Sequence, residues 1–283
     1  MTQPQRTRIR SMSRLGAVSL LSLVLVVAAS VTPATASPGA TPNGSAGGSY
    51  VALGDSFTSG QGAAPYLDFY CYQSISGSYP TITANSSSYR EALNFACSGE
   101  NTHQMLERVA DIDDRVKLKA TLVTLTVGGI DAGSNVVLAA CLLSTDACAS
   151  AFSDARERLP AVFLQLHATY TAVAAEFPKA RIVVLNYPML LAPNYPSAEV
   201  AGTVNGATGA LNGVIAQAVA LTENPRVSLT DVTQEFTGHG IGSALPYISF
   251  NGFSDAASFH PNVLGNTAGY AAALRTDGVL RGR

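Results

Sequence analysis

The chain has 283 residues, of which 47% are hydrophobic and 13% charged, a balance that fills a core and excludes intrinsic disorder for the bulk of it. Its 17 basic residues against 19 acidic ones leave a net charge of −2, and no run of Lys or Arg follows Arg14. The electrostatic footprint of a nucleic-acid binder is missing, which excludes nucleic acid as a partner.

At the N-terminus, Arg6, Arg8, Arg10 and Arg14 precede the apolar stretch Leu15 to Ala29, and Ala34-Thr35-Ala36 follows it. This is the n-region, h-region and A-x-A order of a secretory signal. As a helix the stretch reaches about 22 Å, short of the ~30 Å that a membrane anchor must cross. Residues 1–36 are therefore expected to be a cleaved signal peptide, and the product to be secreted. The removed piece holds four arginines and no acid, so cleavage takes the charge from −2 to −6. Residues 37–49, uncharged and rich in Pro, Gly, Ser, Ala and Thr, read as a flexible leader. Residues 50–283 have the size of one domain.

From Tyr50 onward, short apolar runs alternate with amphipathic stretches. Strands are expected at Tyr50–Leu53, Leu93–Ala96, Leu122–Val127, Ile182–Leu185 and Val227–Leu229, with helices over 102–110, 133–142, 153–177, 197–222 and 263–275. Along 153–177, Leu159, Val162, Phe163, Leu166, Tyr170 and Val173 recur at three- and four-residue steps, a face that lies flat on a sheet. Strands alternating with helices imply parallel crossovers and a three-layer α/β/α domain around a five-stranded parallel sheet. In such sheets the site lies beyond the carboxyl ends of the strands.

The four cysteines of an exported chain suggest two disulfides, and none has the C-x-x-C spacing of a zinc or redox site. Of three connectivities we favour Cys71 with Cys97 and Cys141 with Cys148, contributing on the order of 3.5 and 2.5 kcal/mol by loop entropy; free thiols are the alternative. One continuous helix would hold residues 141 and 148 about 10.5 Å apart, beyond the ~7 Å a disulfide spans. The helix must therefore break, at Ser144-Thr145-Asp146.

The first strand is followed by Gly54-Asp55-Ser56-Phe57-Thr58-Ser59-Gly60, the second by Cys97-Ser98-Gly99-Glu100-Asn101, and the third by Gly128-Gly129-Ile130-Asp131. A serine on a tight turn between glycines has its hydroxyl exposed and backbone N–H groups facing an incoming oxygen. Alone, a Gly-Asp-Ser turn is ordinary strand-end punctuation, and no G-x-S-x-G elbow occurs. Ser258-Phe259-His260-Pro261-Asn262 stands before the last helix.

These blocks, in this order, resemble the GDSL or SGNH hydrolase family, most closely its secreted bacterial lipase and esterase branch, over Tyr50 to about Tyr270. The resemblance implies a flavodoxin-like SGNH hydrolase fold, with Ser56 as nucleophile, His260 as general base and the Ser56 and Gly99 N–H groups as oxyanion donors. It also implies ester hydrolysis through an acyl-enzyme without cofactor or metal, and matches Cys71 and Cys97 to the branch's first disulfide. The expected partner is a small-molecule or lipid ester, met transiently at a lipid interface by a monomer.

Two positions depart from the family pattern. Where the family has an oxyanion asparagine this chain has Ile130, which holds no donor; Asn101 and Asn135 are substitute candidates. Three residues before His260, where the family has an acid, stands Ala257. Its main-chain carbonyl is the preferred acceptor for the ring, with Asp255 the alternative, so a dyad is expected. Ile130 also motivates a second reading, a catalytically impaired lipid- or carbohydrate-binding protein; an acetyl-polysaccharide esterase is a third. His103 and His239 are rival bases that read as solvated histidines, and His167 as structural. Asp131 is expected to cap the helix after it, and Asp55 to brace the serine turn. Pro65, Tyr66, Phe69 and Tyr70 read either as an acyl pocket or as packing on the Cys71 bridge.

Overall fold

The computed structural model describes residues 48–89 and 91–280. The expected signal peptide and nearly all of the expected leader lie outside the described residues; Ser49, the leader's last residue, already belongs to the first strand.

The strands are β1 (Ser49–Gly54), β2 (Ala92–Asn94), β3 (Ala120–Thr126), β4 (Arg181–Leu185) and β5 (Val227–Thr230). They form one parallel sheet in the order β2-β1-β3-β4-β5, which is the flavodoxin-like order with its switch point between β1 and β3. Val51, Val123, Ile182 and Val227 are in register, as are Tyr50, Leu122 and Arg181. Alternation sends Val51, Leu53, Val123, Leu125, Ile182 and Val184 into one core, and Tyr50, Ala52, Leu122, Val183 and Leu185 into the other. Both faces are apolar, so both need covering by helices.

The helices are α1 (Ser56–Ser59), α2 (Tyr79–Asn85), α3 (Thr102–Ala110), α4 (Asp114–Lys119), α5 (Ser134–Leu143), α6 (Thr145–Glu176), α7 (Ala198–Leu221) and α8 (Ala271–Thr276), the last entered through a π turn over Gly265–Tyr270. On the first face Val162, Leu166, Tyr170 and Val173 of α6 pack with Leu211, Ile215 and Ala218 of α7; on the second, Tyr79 of α2 packs with Leu274 of α8. The pattern predicted for 153–177 is thus real, but its helix starts at Thr145. The break occupies one residue: Ser144 ends α5, and its side chain accepts the Ala147 N–H to start α6. Cys141 and Cys148 are joined across that break, and Cys71 is joined to Cys97. Helices α2 and α4, with seven and six residues, are too short for periodicity to reveal.

Candidate active site

The end of β1 turns sharply because Gly54 has φ +121° and a side chain there would strike the Thr126 carbonyl of β3. Asp55 then caps α1, accepting the Phe57 N–H at 3.0 Å. Ser56 is the first helical residue, 8% exposed.

His260 comes from the far end of the chain. Its backbone is pinned as Ser249 accepts the Phe259 N–H at 2.8 Å and donates to the His260 carbonyl at 2.8 Å. Phe259 has φ +65°, a left-handed conformation costly for a bulky residue, with its ring packed against Phe250 and Phe253. His260 Nε2 lies 2.9 Å from Ser56 Oγ, and Nδ1 lies 2.8 Å from the Ser258 carbonyl. A carbonyl only accepts, so Nδ1 carries the proton and Nε2 is free to take one from the serine. Burial lowers the imidazole from 6.5 to about 4, against the raising effect of the Ser258 carbonyl, so the ring is neutral throughout the neutral range.

The ring-orienting carbonyl is therefore that of Ser258, and neither of the expected residues. The Ala257 carbonyl is engaged by the His260 backbone N–H at 3.3 Å, and the Asp255 carboxylate accepts the Ala257 N–H at 2.7 Å within its own turn. The left-handed Phe259 turns the chain between Ser258 and His260 and presents the nearer carbonyl to the ring.

Gly99, at φ +79°, lies on the turn between Cys97 and α3. Ser56, Gly99, Ile130, Asn135 and His260 line one cleft of about 330 Å³. Its walls come from Val137 and Leu138 of α5, Phe152 and Leu159 of α6, and Val204 and Leu211 of α7. Asn135 therefore faces the same space as the serine. Asn101 does not line it, and its side-chain oxygen accepts the Gln104 N–H at the start of α3. Asp131, expected to cap the helix after it, reaches instead to Thr102 of α3, accepting from its N–H at 3.0 Å and its hydroxyl at 2.7 Å. It thereby ties the loop holding Gly99 to the end of β3, while α5 starts from Gly133 without a side-chain cap.

His103 is exposed on α3, 3.7 Å from Glu107. His239 stacks on Tyr247 with ring centres 3.8 Å apart, and its Nδ1 lies 2.8 Å from the Leu245 carbonyl. His167 sits on α6. None of the three lines the cleft. Neither do Pro65, Tyr66, Phe69 and Tyr70: Tyr66 and Phe69 cluster edge-on with Tyr72, and Phe69 and Tyr70 remain 78% and 82% exposed.

Sequence reasoning missed two side chains at the site. Gln61, just past α1, donates from Nε2 to the Ala256 carbonyl at 2.5 Å and accepts the Ser98 hydroxyl, linking the serine turn to the histidine loop and the Gly99 turn. Tyr187 lies beyond β4 and lines the cleft beside Asp55. The strand-end rule that drew attention to the ends of β1, β2 and β3 also covers the end of β4, and would have found Tyr187.

Residues 52–268 match the model of the GDSL-like lipase/acylhydrolase family. The chain belongs to that family. The GDSL-like chain is 31% identical to Lipase 1 of Streptomyces coelicolor over 90% of its own length and 95% of that protein. Among solved structures it resembles phospholipase A1 of Streptomyces albidoflavus NA297, at 32% identity and a TM-score of 0.71, covering 81% of this chain and 98% of that one. It also resembles the extracellular lipase of Streptomyces rimosus, at 30% identity and a TM-score of 0.72, covering 81% and 99%. The GDSL-like chain is a carboxylic ester hydrolase.

Proposed function

We propose that the enzyme is a secreted lipase or esterase that hydrolyses lipid esters through an acyl-enzyme on Ser56, with His260 as general base and no side-chain acid. The 2.9 Å contact between His260 Nε2 and Ser56 Oγ carries this reading. His260 accepts the serine proton as Oγ attacks the ester carbonyl, and the oxyanion is received by the Ser56 and Gly99 N–H groups. The imidazolium then protonates the leaving alcohol, and water attacks the acyl-enzyme with His260 again as base. The Ser258 carbonyl dipole, in place of a carboxylate, supports the imidazolium. Ile130 supplies no donor, so the oxyanion is held more weakly than in family members with asparagine there.

The apolar walls of the cleft support an acyl chain as its occupant, in preference to the sugar of an acetylated polysaccharide. The two disulfides support export. The exposed Leu67, Phe69 and Tyr70 support transient contact with a lipid surface, and the monomer suffices because one chain supplies Ser56, Gly99 and His260. Membership in a family of named lipases favours hydrolysis over binding alone.

The test is turnover of nitrophenyl esters of increasing chain length by wild type and Ser56→Ala. Turnover that rises beyond acetate and disappears in Ser56→Ala is expected. Wild-type activity surviving in Ser56→Ala overturns the nucleophile, and activity confined to acetate overturns the lipid substrate.

A further inference from the structure

Tyr187 joins turns that belong to two other strands. Its hydroxyl donates to Asp55 Oδ2 at 2.6 Å and accepts the Gly129 N–H at 2.9 Å. Asn212 of α7 fixes its backbone, accepting the Tyr187 N–H at 3.0 Å and donating to the Tyr187 carbonyl at 2.7 Å. The ring meets Phe57 edge-on at 5.0 Å, and Phe57 lies 5.5 Å from the His260 ring. The bridging side chain is 5% exposed and Asp55 is 2% exposed, so the bridge is largely shielded from solvent although its residues border the cleft.

The Asp55 carboxylate therefore divides its oxygens. Oδ1 holds the first turn of α1, and with it Ser56, while Oδ2 holds the phenol. An ionised carboxylate accepts both bonds; a protonated one has one oxygen turned into a hydroxyl donor, so the charge-assisted bridge from the phenol must weaken or reverse. Either change loosens the serine turn, which then depends on the Asp55 N–H to the Thr126 carbonyl at 3.0 Å and the Thr126 N–H to the Thr58 hydroxyl at 3.2 Å for its hold on β3.

We propose that Tyr187 is a positioning residue for ester hydrolysis: its hydroxyl, bridging Asp55 and Gly129, fixes the turn bearing Ser56 against the end of β3 and so aims the serine hydroxyl and N–H at the scissile carbonyl. This rests on the assignment of Ser56 above. Burial pushes the Asp55 carboxyl up to about 7, and the Tyr187 hydrogen bond pulls it back down. The titratable groups facing Asp55 are Asp131 beyond β3, Tyr187 beyond β4, Tyr79 of α2, Tyr170 of α6, and Tyr270 before α8. Burial pushes all four phenols above their ordinary range, so they stay neutral and Asp55 is the group that titrates near neutrality.

Tyr187→Phe keeps the ring and removes only the bridge. On a soluble nitrophenyl ester kcat should fall about 10- to 100-fold while KM stays within about twofold. The step in kcat that follows Asp55 ionisation near pH 7 should move to higher pH, because the carboxylate has lost a donor. In Asp55→Asn the step should vanish, and adding Tyr187→Phe should cost less than it does in wild type. Wild-type kcat in Tyr187→Phe overturns the proposal, as does a loss that leaves the pH step in place and adds fully to that of Asp55→Asn. Should Tyr187→Phe not fold, a pH step persisting in Asp55→Asn overturns it. Turnover surviving in Ser56→Ala would instead overturn the nucleophile assignment, so the two failures are distinguishable.

Discussion

The ends of β1 and β3 are neighbours in the sheet, and each runs through glycine into an aspartate, yet they serve the cleft in different ways. At β1, Asp55 is buried and shapes the turn that presents Ser56 directly. At β3, Asp131 turns away to Thr102 and supports the Gly99 loop from behind, while Ile130 faces the cleft without a donor. One strand end places the proposed nucleophile; the other holds a neighbouring loop and leaves the position where an oxyanion donor was expected apolar. Similar strand-end sequences acquire different duties from what lies opposite them.

The largest effect should come from completing the weaker side. An oxyanion donor typically contributes about 10²–10³ in turnover, so Ile130→Asn is expected to raise kcat on a nitrophenyl ester about 100-fold or more. An unchanged kcat would mean that another group already fills the position, with Asn135 the first to examine by Asn135→Ala.

A smaller effect separates the two aspartates. Asp131→Ala strips the bonds to Thr102 and is expected to cost about 2 kcal/mol of stability, since hydrogen bonds to charged groups contribute ~1.5–3 kcal/mol. Asp55→Asn at pH 7 should cost less, because the amide removes a charge whose burial is unfavourable. Urea unfolding of both variants checks the ranking, and the reverse order would break the comparison.

The smallest effect in the wild type is a pH slope near zero, the result of a balance between Asp55 and His260. Burial raises the carboxyl from 3.8 to about 7 and lowers the imidazole from 6.5 to about 4. The Asp55 contribution to stability is full below its unfolded value and is lost as pH rises through about 7. The His260 contribution is full above its unfolded value and is lost as pH falls through about 4. Between roughly pH 4 and 6.5 the folded and unfolded states therefore bind equal numbers of protons at this pair, and their contributions to the pH slope cancel. Asp55→Asn should unmask stability that falls on acidification across that window, and His260→Phe stability that falls as pH rises, each by up to about 1.4 kcal/mol per pH unit. Denaturation at pH 4.5, 5.5 and 6.5 reads both slopes; two flat profiles would remove the opposition.

Much of this site was legible as sequence because the three glycine-bearing blocks and the late histidine, standing after the expected strands, resemble those of the GDSL hydrolase family; the glycines alone mark only strand ends. The pairing of Cys141 with Cys148 was one choice among three; once it was favoured, a length argument required the helix to break, and it breaks at Ser144. The acceptor for His260 was legible in kind and misplaced in position, since choosing between Ala257 and Ser258 depends on the left-handed Phe259. The direction of the Asp131 side chain was not legible at all, because Thr102 is distant in sequence and near only after β3 and α3 have packed.

By itself the sequence determined the layered parallel fold, the turn bearing Ser56 and the apolar residue at 130, which follow from local pattern and side-chain chemistry, and it favoured one cysteine pairing among three. Only the tertiary structure decided which carbonyl orients His260, which loop Asp131 supports, and that Tyr187 bridges Asp55 to Gly129. Those choices depend on which groups meet across the sheet, and burial there makes each unmatched hydrogen bond costly enough to fix the partner.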